Sequence, residues 1–355
     1  MIPYLILALS PVLIGSFFQL RYNRSIHSND NHKKAFLWLF GLVLFIMIAF
    51  RNPYVGSTDS INYYNNWEDL SHATLSETID FIDATTMEGG YILTVWVLSK
   101  VFINPQWVFI LSGLLFTVSI CRFIAKNSAD AILSAVMFVT LGLYSFMVQG
   151  LRQAIAMSIL LFAIEFCKKR KFIPFLMLVL FATLYHKTAI VFVFLYFLYG
   201  IPLNALTYTC AIGCSVGLIA LSVPIVNVAN QLFESDYNQS IDSGGFIATA
   251  IYLIILIVAT LFKPKDGDQL HYSFFWMITA LGCTTYIMRY TGTLAAERIS
   301  FYFLFGQVII LPEVIRTFKK RDRFLIKMLV IFLCVALFFY RNNGSDLDPY
   351  RFFWQ

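Results

Sequence analysis

Long apolar segments recur through almost the whole chain, and this pattern constrains the fold more than any other feature. From Ile2 to Asn343, stretches of mostly apolar residues are separated only by short polar breaks. A helix of about 20 such residues spans the hydrocarbon core of a bilayer. The chain is 59% hydrophobic and only 13% charged, whereas soluble domains average about 25% charged residues. The pattern predicts an all-α polytopic membrane protein with a single integral membrane domain over residues 1–355.

Basic clusters between the apolar segments predict the orientation of the chain. Lys and Arg outnumber Asp and Glu in five of the breaks, which are 21–34, 122–126, 168–171, 263–265 and 316–323. Such clusters mark the cytoplasmic side of a membrane protein. The net charge of +6 is therefore explained by topology, and no nucleic-acid partner is expected.

One apolar segment, Gly89 to Ile103, does not fit this alternation. It is too short for a full crossing, it carries Lys100, and a crossing here would move every later basic cluster to the outer side. We expect it to lie along the outer surface as an interfacial juxtamembrane helix.

With that segment set aside, the remaining apolar segments predict about twelve transmembrane helices. They lie near residues 2–20, 35–50, 106–121, 131–148, 151–167, 172–186, 188–203, 205–229, 247–262, 270–290, 298–315 and 324–340. Both termini are then outside. The outer side also holds a large loop over 51–105, a second loop over 230–246 and a tail over 341–355.

The sequence lacks the common cofactor and metal patterns. No phosphate-binding P-loop, dinucleotide-binding or zinc-binding spacing occurs in it. The six cysteines show no metal or redox spacing and fall mostly inside apolar segments. We therefore predict no cofactor and no metal.

Four arginines are predicted at the outer ends of helices, where arginine is disfavoured. They are Arg51, Arg152, Arg289 and Arg298. The planar guanidinium matches phosphate oxygens, so their convergence would form an outward-facing anion site. The alternative is a set of arginines that extend to the lipid headgroups.

Other polar residues beside the apolar segments have both a functional and a structural interpretation. His186 lies between two long apolar stretches. It is either a proton acceptor or hydrogen-bond donor, or a structural histidine. Glu88 begins the interfacial helix, where an acid interacts favourably with the helix dipole, and helix capping alone could account for it. Asp59 follows a turn-like stretch and is either functional or a helix cap. Helical spacing places Gln149, Arg152, Gln153 and Ala156 on one face.

Five short motifs follow Arg51 in a fixed order, namely GSTDSINYY, EGGYILT, GLRQAIAMSI, LYHKTAI and ERISFYF. In order and rough spacing they resemble the EpsG/Wzy family of bacterial polysaccharide polymerases, and the layout is similar to membrane glycosyltransferases of the GT-C type. The resemblance implies an enzyme of the bacterial cell (inner) membrane. Such an enzyme joins undecaprenyl-pyrophosphate-linked oligosaccharide repeat units into exopolysaccharide, capsule or O-antigen on the outer face.

The same resemblance implies roles for the candidate residues. Asp59 takes the position of the catalytic carboxylate, with Glu88 and His186 as alternative proton acceptors. The four arginines are expected to hold the pyrophosphate. Contacts with sugar or lipid are expected from Tyr63, Tyr91, Gln153 and Tyr302. The acidic pair usual in GT-C enzymes is missing around Asp59, which again argues against a metal.

Other functions compatible with the sequence are a lipid-linked oligosaccharide flippase, an O-antigen-type ligase and a membrane acyltransferase. A flippase is expected to have two similar halves, and no internal repeat is visible. A ligase of this type usually has its large outer loop late in the chain. An acyltransferase would leave the four arginines without a role. The expected partners are a lipid-linked donor, a lipid-linked acceptor and, as a candidate, a chain-length regulator.

Overall fold

The computed structural model describes residues 2–22, 29–56, 58–233, 245–291, 294–345, 347 and 349–355. Over this part of the chain the protein is helical, and the only β pairing is an isolated antiparallel bridge between Arg51 and Phe352. The prediction of an all-α membrane protein is confirmed. Residues 234–244 of the predicted outer loop 230–246 lie outside the described residues.

The α-helices are named in chain order. They are α1 (Ile2–Tyr22), α2 (Asn29–Ala49), α3 (Thr58–His72), α4 (Leu75–Ala84), α5 (Gly89–Val101), α6 (Gln106–Asn127), α7 (Ala131–Thr140), α8 (Leu143–Gln149), α9 (Leu151–Lys168), α10 (Phe172–Thr183), α11 (Leu195–Leu198), α12 (Ala205–Ala220), α13 (Ser222–Phe233), α14 (Phe246–Leu261), α15 (Gln269–Ile287), α16 (Leu294–Arg316) and α17 (Lys320–Asn342). Two 3-10 helices cover Lys187–Phe194 and Met288–Thr291.

Two of the predicted transmembrane segments are broken. The segment 131–148 forms α7 and α8, which meet at an angle of 50°. The break contains Gly142, whose φ of 97° is a conformation that favours glycine. The segment 205–229 forms α12 and α13, bent by 65°.

Fewer helices qualify as membrane spans than the sequence predicts. Within the described residues, four are long and apolar enough to cross a membrane, which are Asn31–Ala49, Gln106–Asn127, Ala296–Arg316 and Lys320–Asn342; the number rises to six if each bent pair is one span. A helix rises 1.5 Å per residue, so shorter apolar helices such as Phe172–Thr183 do not cover a core of about 30 Å by themselves. The count of about twelve is not confirmed, whereas the multi-pass character is.

Helix α5 corresponds to the segment that was set aside as interfacial. Its 13 residues extend about 20 Å, well short of a crossing. It packs on the end of α3, where Trp96 Nε1 donates a hydrogen bond to Ala73 O at 3.0 Å. Lys100 Nζ donates to the same carbonyl at 2.8 Å. The helix is confirmed, and its position at the membrane surface stays a prediction.

The helices pack closely where small residues face a neighbouring backbone. Buried apolar residues form a continuous core that extends from α1 to α17. Helix α15 packs extensively along α16, and a Cβ atom at Gly306 would lie 2.9 Å from the backbone nitrogen of Thr279. Small residues at helix contacts are typical of membrane bundles, because lipid tails are as apolar as the side chains and association depends on close packing.

The first polar loop and the C-terminal tail meet at one end of the bundle. The amide of Asn52 donates to Arg351 O at 2.9 Å, and the amide of Phe353 donates to Phe50 O at 2.9 Å. Gln106, at the start of α6, donates through Nε2 to Ala49 O at 2.7 Å. The end of α2 and the start of α6 therefore lie close together. Contacts of Ser60 with Arg51 and of Tyr63 with Arg152 add the starts of α3 and α9, and the candidate site is built here.

Candidate functional site

Glu88 is buried, with a relative exposure of 7%, and is at the centre of a group of polar side chains from three elements. It is the N-cap residue of α5, yet its side chain makes no cap hydrogen bond. The carboxylate instead forms an ion pair with Arg152 at the start of α9. It also accepts from the ring Nδ1 of His186 at 2.9 Å and from the amide of Lys187 at 3.1 Å. Helix capping therefore does not explain Glu88.

A close contact between backbones holds Glu88 beside His186. The amide of Gly90 donates to Leu184 O at 3.0 Å, just before the chain turns into the 3-10 helix Lys187–Phe194. A Cβ atom at Gly90 would lie 2.5 Å from that carbonyl oxygen, so this approach requires glycine. The second glycine of the EGGY sequence thus brings α5 against the end of α10.

The surroundings of Glu88 keep it ionised. Burial alone raises the pKa of the Glu88 carboxyl, but the hydrogen bond from His186 and the charge of Arg152 outweigh burial and lower the pKa from 4.5 to about 2. Hydrogen bonds and a cation that favour the charged form produce a shift of this sign. At neutral pH Glu88 is therefore a fixed anion and a weak base.

His186 is buried, with a relative exposure of 7%. Its Nδ1 contacts Glu88, whereas its Nε2 is buried and has no hydrogen-bond partner among the described residues. Two residues further along, Thr188 Oγ1 lies 3.2 Å from the hydroxyl of Tyr302 on α16. The start of this 3-10 helix therefore joins α5 to α16.

Arg152 connects Glu88 to two tyrosines. Its Nε lies 3.5 Å from the hydroxyl of Tyr63 on α3, and its side chain is 21% exposed. The ring of Tyr63 packs edge-on against Tyr91, with centroids 5.3 Å apart. The hydroxyl of Tyr91 is buried without a hydrogen-bond partner in the described part of the chain. Two of the residues predicted to contact sugar or lipid thus lie beside Arg152.

The remaining predicted residues lie in or contact the start of α16. Gln153 Nε2 donates to the backbone carbonyl of Arg298 at 2.6 Å, and the Arg298 side chain is exposed. Arg289 is 7% exposed and is already paired, through Nη1, with Tyr286 Oη at 2.8 Å and with Glu297 Oε1 at 2.9 Å.

Arg51 lies in a different environment. It is fully buried, and its Nη1 donates to Val148 O at 2.6 Å and to Val55 O at 3.0 Å. Its guanidinium lies 4.5 Å from the centre of the Phe109 ring. Burial lowers the pKa of Arg51 to about 10, so it remains protonated at neutral pH. This placement favours a structural role over direct contact with a pyrophosphate.

Asp59 is in the first turn of α3, and its side chain lies outside the described part of the structure. The next residue, Ser60, is fully buried, with Oγ 3.4 Å from Arg51 Nη1. The backbone of Asp59 is therefore at the same end of the bundle as Glu88. Its role stays a prediction.

Sequence reasoning missed the Lys187 amide and the Glu297 carboxylate. Nothing in the sequence distinguishes one backbone amide from another, so Lys187 could not have been found. Glu297 could have been found, because an acid beside Arg298 at the start of a long apolar helix is unusual.

Among the described residues, no group of three or more His, Cys, Asp and Glu is placed to hold a metal ion, and metal independence stays a prediction.

The arrangement combines a cation, a fixed anion and a histidine nitrogen without a partner. Arg152 and Arg298 can meet an anionic group, and His186 can accept a proton. Tyrosine rings and amide groups close to them are suited to contact with sugars.

Comparison with known proteins gives one match. The model of the EpsG family matches residues 34–352, nearly the whole chain and all five motifs. No curated protein and no solved structure matches.

Proposed function

Because this chain belongs to the EpsG family, whose members are Wzy-like polysaccharide polymerases, we propose that it polymerises lipid-linked oligosaccharide repeat units. The observation that carries the proposal is the buried contact of Glu88 with Arg152 and His186. Each of these residues lies in a different one of the motifs that resemble the family.

The proposed reaction is a glycosyl transfer between two lipid-linked sugars. A hydroxyl of the new repeat unit attacks the anomeric carbon of the growing chain, and the bond to undecaprenyl pyrophosphate breaks. Negative charge increases on the pyrophosphate as it leaves, so fixed cations beside it stabilise the transition state. The polar groups of Tyr63, Tyr91, Gln153 and Tyr302 would orient the sugars.

The four arginines differ in how readily they could hold the pyrophosphate. Arg298 is exposed and Arg152 is partly exposed, so both could contact a ligand directly. Arg152 and Arg289 are each paired with a glutamate, but the Arg289 side chain is only 7% exposed, and Arg51 would have to leave the interior. Arg152 and Arg298 are therefore the proposed primary contacts.

Three residues are candidates for the proton acceptor, namely Asp59, Glu88 and His186. A general base works best when its pKa lies near the working pH. The low pKa of Glu88 argues against it as the base, which leaves Asp59 and His186.

We place the site on the outer face of the bacterial cell membrane, because the basic clusters lie in the breaks at the other ends of the helices and mark the cytoplasmic side. Single cysteines introduced at Ser71 and at Lys169 test this placement with an impermeant thiol reagent on spheroplasts. Labelling at Ser71 alone is expected. Labelling at Lys169 alone would reverse the orientation.

The function itself is tested with the purified protein in proteoliposomes that contain lipid-linked repeat units. A ladder of longer lipid-linked chains is expected, and Asp59→Asn tests the aspartate in the same assay. Movement of repeat units across the bilayer without joining would indicate a flippase. Transfer to a different acceptor, with no chain growth, would indicate a ligase.

A further inference from the structure

The unpartnered nitrogen of His186 and the carboxylate that holds its other nitrogen lie next to the arginine that is proposed to meet the leaving group. We propose that His186 is the catalytic base of the polymerase and that Glu88 is its positioning residue. Nε2 of His186 takes the proton of the acceptor hydroxyl. This inference rests on the proposed function and chooses among its candidate bases.

The contacts of Glu88 determine which ring nitrogen of His186 carries the hydrogen. Glu88 is ionised, so it can only accept a hydrogen bond, and Nδ1, at 2.9 Å, must be the donor. A neutral imidazole has one donor and one acceptor nitrogen. Nε2 therefore has a free lone pair in the neutral ring, which is the state that a general base requires.

Three further contacts prevent the carboxylate from turning away. Arg152 pairs with Oε2, and the Lys187 amide donates to Oε1 at 3.1 Å, the oxygen that also receives Nδ1. Gly90 fixes the backbone beside Leu184. The ring of His186 is thus oriented by a carboxylate that is itself oriented, an arrangement found in catalytic sites where an acid holds a histidine base.

Nε2 is one of five buried side-chain polar atoms without a hydrogen-bond partner in the described part of the chain, and the only one on an imidazole. A buried polar atom without a hydrogen-bond partner is rare in folded proteins and calls for an explanation. The charged and titratable groups on the elements around this position include Glu88 at the start of α5, Arg152 of α9, Lys187 of the 3-10 helix and Arg298 and Tyr302 of α16. Glu88 bonds Nδ1, and no hydrogen bond joins Nε2 to any of the described residues. A sugar hydroxyl would supply the missing donor.

The proposed step transfers one proton and one glycosyl group. The acceptor hydroxyl transfers its proton to Nε2, and its oxygen forms a bond to the anomeric carbon of the donor. The bond from that carbon to the pyrophosphate oxygen breaks, and the electron pair leaves with the lipid pyrophosphate. The positive charge gained by His186 is next to the Glu88 carboxylate, and the negative charge of the leaving group is next to Arg152. The proton then passes to the leaving group or to water.

The test uses the full-length protein in proteoliposomes with lipid-linked repeat units. A general base contributes about 10²- to 10⁴-fold to a rate, so His186→Gln should lower kcat at least about a hundredfold with little change in KM. Glu88→Gln should also lower kcat, because its amide can donate to Nδ1 and move the ring hydrogen to Nε2. The matched controls are His271→Gln and Glu165→Gln, which alter a histidine bonded to Asn127 O and an acid paired with Lys126, both away from the site.

A spectroscopic measurement separates positioning from folding. Nitrogen-15 NMR of histidine-labelled protein, with His186→Gln to assign the signal, should show the neutral His186 ring protonated at Nδ1 in the wild type and not in Glu88→Gln. Normal kcat in His186→Gln, or a wild-type ring protonated at Nε2, would overturn this role and leave the polymerase proposal intact. A wild-type protein that extends no chain would overturn both.

Discussion

Arg51 and Arg152 are the same residue type at the same end of the bundle, and the molecule uses them differently. The guanidinium of Arg51 is fully enclosed and donates to two backbone carbonyls and a serine hydroxyl. That of Arg152 is partly exposed and pairs with a carboxylate that also holds a histidine. The two arginines differ in the groups that they bind. Carbonyls tie elements of the fold together, whereas the carboxylate of Glu88 connects Arg152 to a titratable ring.

The Arg51 region joins three separate parts of the chain. The side chain links the end of α8 to the first polar loop, and its backbone pairs with the C-terminal tail. The Glu88 region joins α5, α9 and the 3-10 helix Lys187–Phe194. Both regions contain buried nitrogens without a hydrogen-bond partner among the described residues, namely Nε and Nη2 of Arg51 and Nε2 of His186, but only the second region combines such an atom with a carboxylate and a partly exposed arginine. Variants in the first region should therefore act on stability alone, and variants in the second on catalysis as well.

The largest expected effect is that of Arg51→Ala on stability. The change leaves a cavity and removes the donor for Val148 O and Val55 O, and we expect a loss of about 3 to 5 kcal/mol in the free energy of unfolding. Chemical unfolding in detergent measures it, with Arg122→Ala at the opposite end of α6 as the control. A loss below about 1 kcal/mol would show that Arg51 does not tie these elements together.

Acid should weaken the Glu88 region more than the Arg51 region. The folded-state pKa of Glu88 is about 2, below its ordinary value of 4.5, so its contribution is fully present above pH 4.5 and is lost as the pH falls toward 2. The shift corresponds to about 3 kcal/mol. The acceptors of Arg51 do not titrate in this range.

Unfolding of the wild type and of Glu88→Gln as a function of pH measures this contribution. The variant should lack the corresponding part of the acid dependence, since glutamine does not titrate. Identical acid dependence in the two proteins would mean that Glu88 is not held by Arg152 and His186.

A methyl group at Gly90 should damage the Glu88 region and leave the Arg51 region intact. The new Cβ would meet Leu184 O at 2.5 Å, so Gly90→Ala must move α5 away from α10, at a cost of about 1 to 3 kcal/mol. The control is Gly213→Ala on the exposed helix α12, where no atom lies within 4 Å of the new Cβ. Equal stability of the two variants would contradict the proposed close contact.

Much of the fold could be predicted from the sequence, because long apolar segments have few alternatives to a helix in a membrane. The positions of α1, α6 and α9 follow directly from their apolar runs. The number of crossings could not be predicted in the same way. Breaks such as that at Gly142 divide apolar segments without a charged residue, and composition alone does not reveal them.

The candidate site could be predicted as a set of residues but not as a set of partners. The motifs identified Glu88, Arg152 and His186, yet from the sequence Glu88 could be either a helix cap or a proton acceptor, and Arg51 was grouped with Arg152. Contacts between residues 64 to 98 positions apart depend on how helices pack, and helical periodicity carries no information about that. The exposure of an arginine is likewise decided by its neighbours and not by its place in the chain.

The role of the Glu88 region in joining repeat units is tested most directly by Arg152→Lys in the chain-extension assay. Lysine keeps the charge but lacks the planar fork that meets a carboxylate and a pyrophosphate. A hydrogen bond to a charged group is worth about 1.5 to 3 kcal/mol, and about 1.4 kcal/mol in a barrier is tenfold in rate. We predict at least a tenfold loss of extension rate at equal amounts of folded protein, with Arg122→Lys as the control. Near-normal extension by Arg152→Lys would contradict the claim that the Glu88 region is where the repeat units are joined.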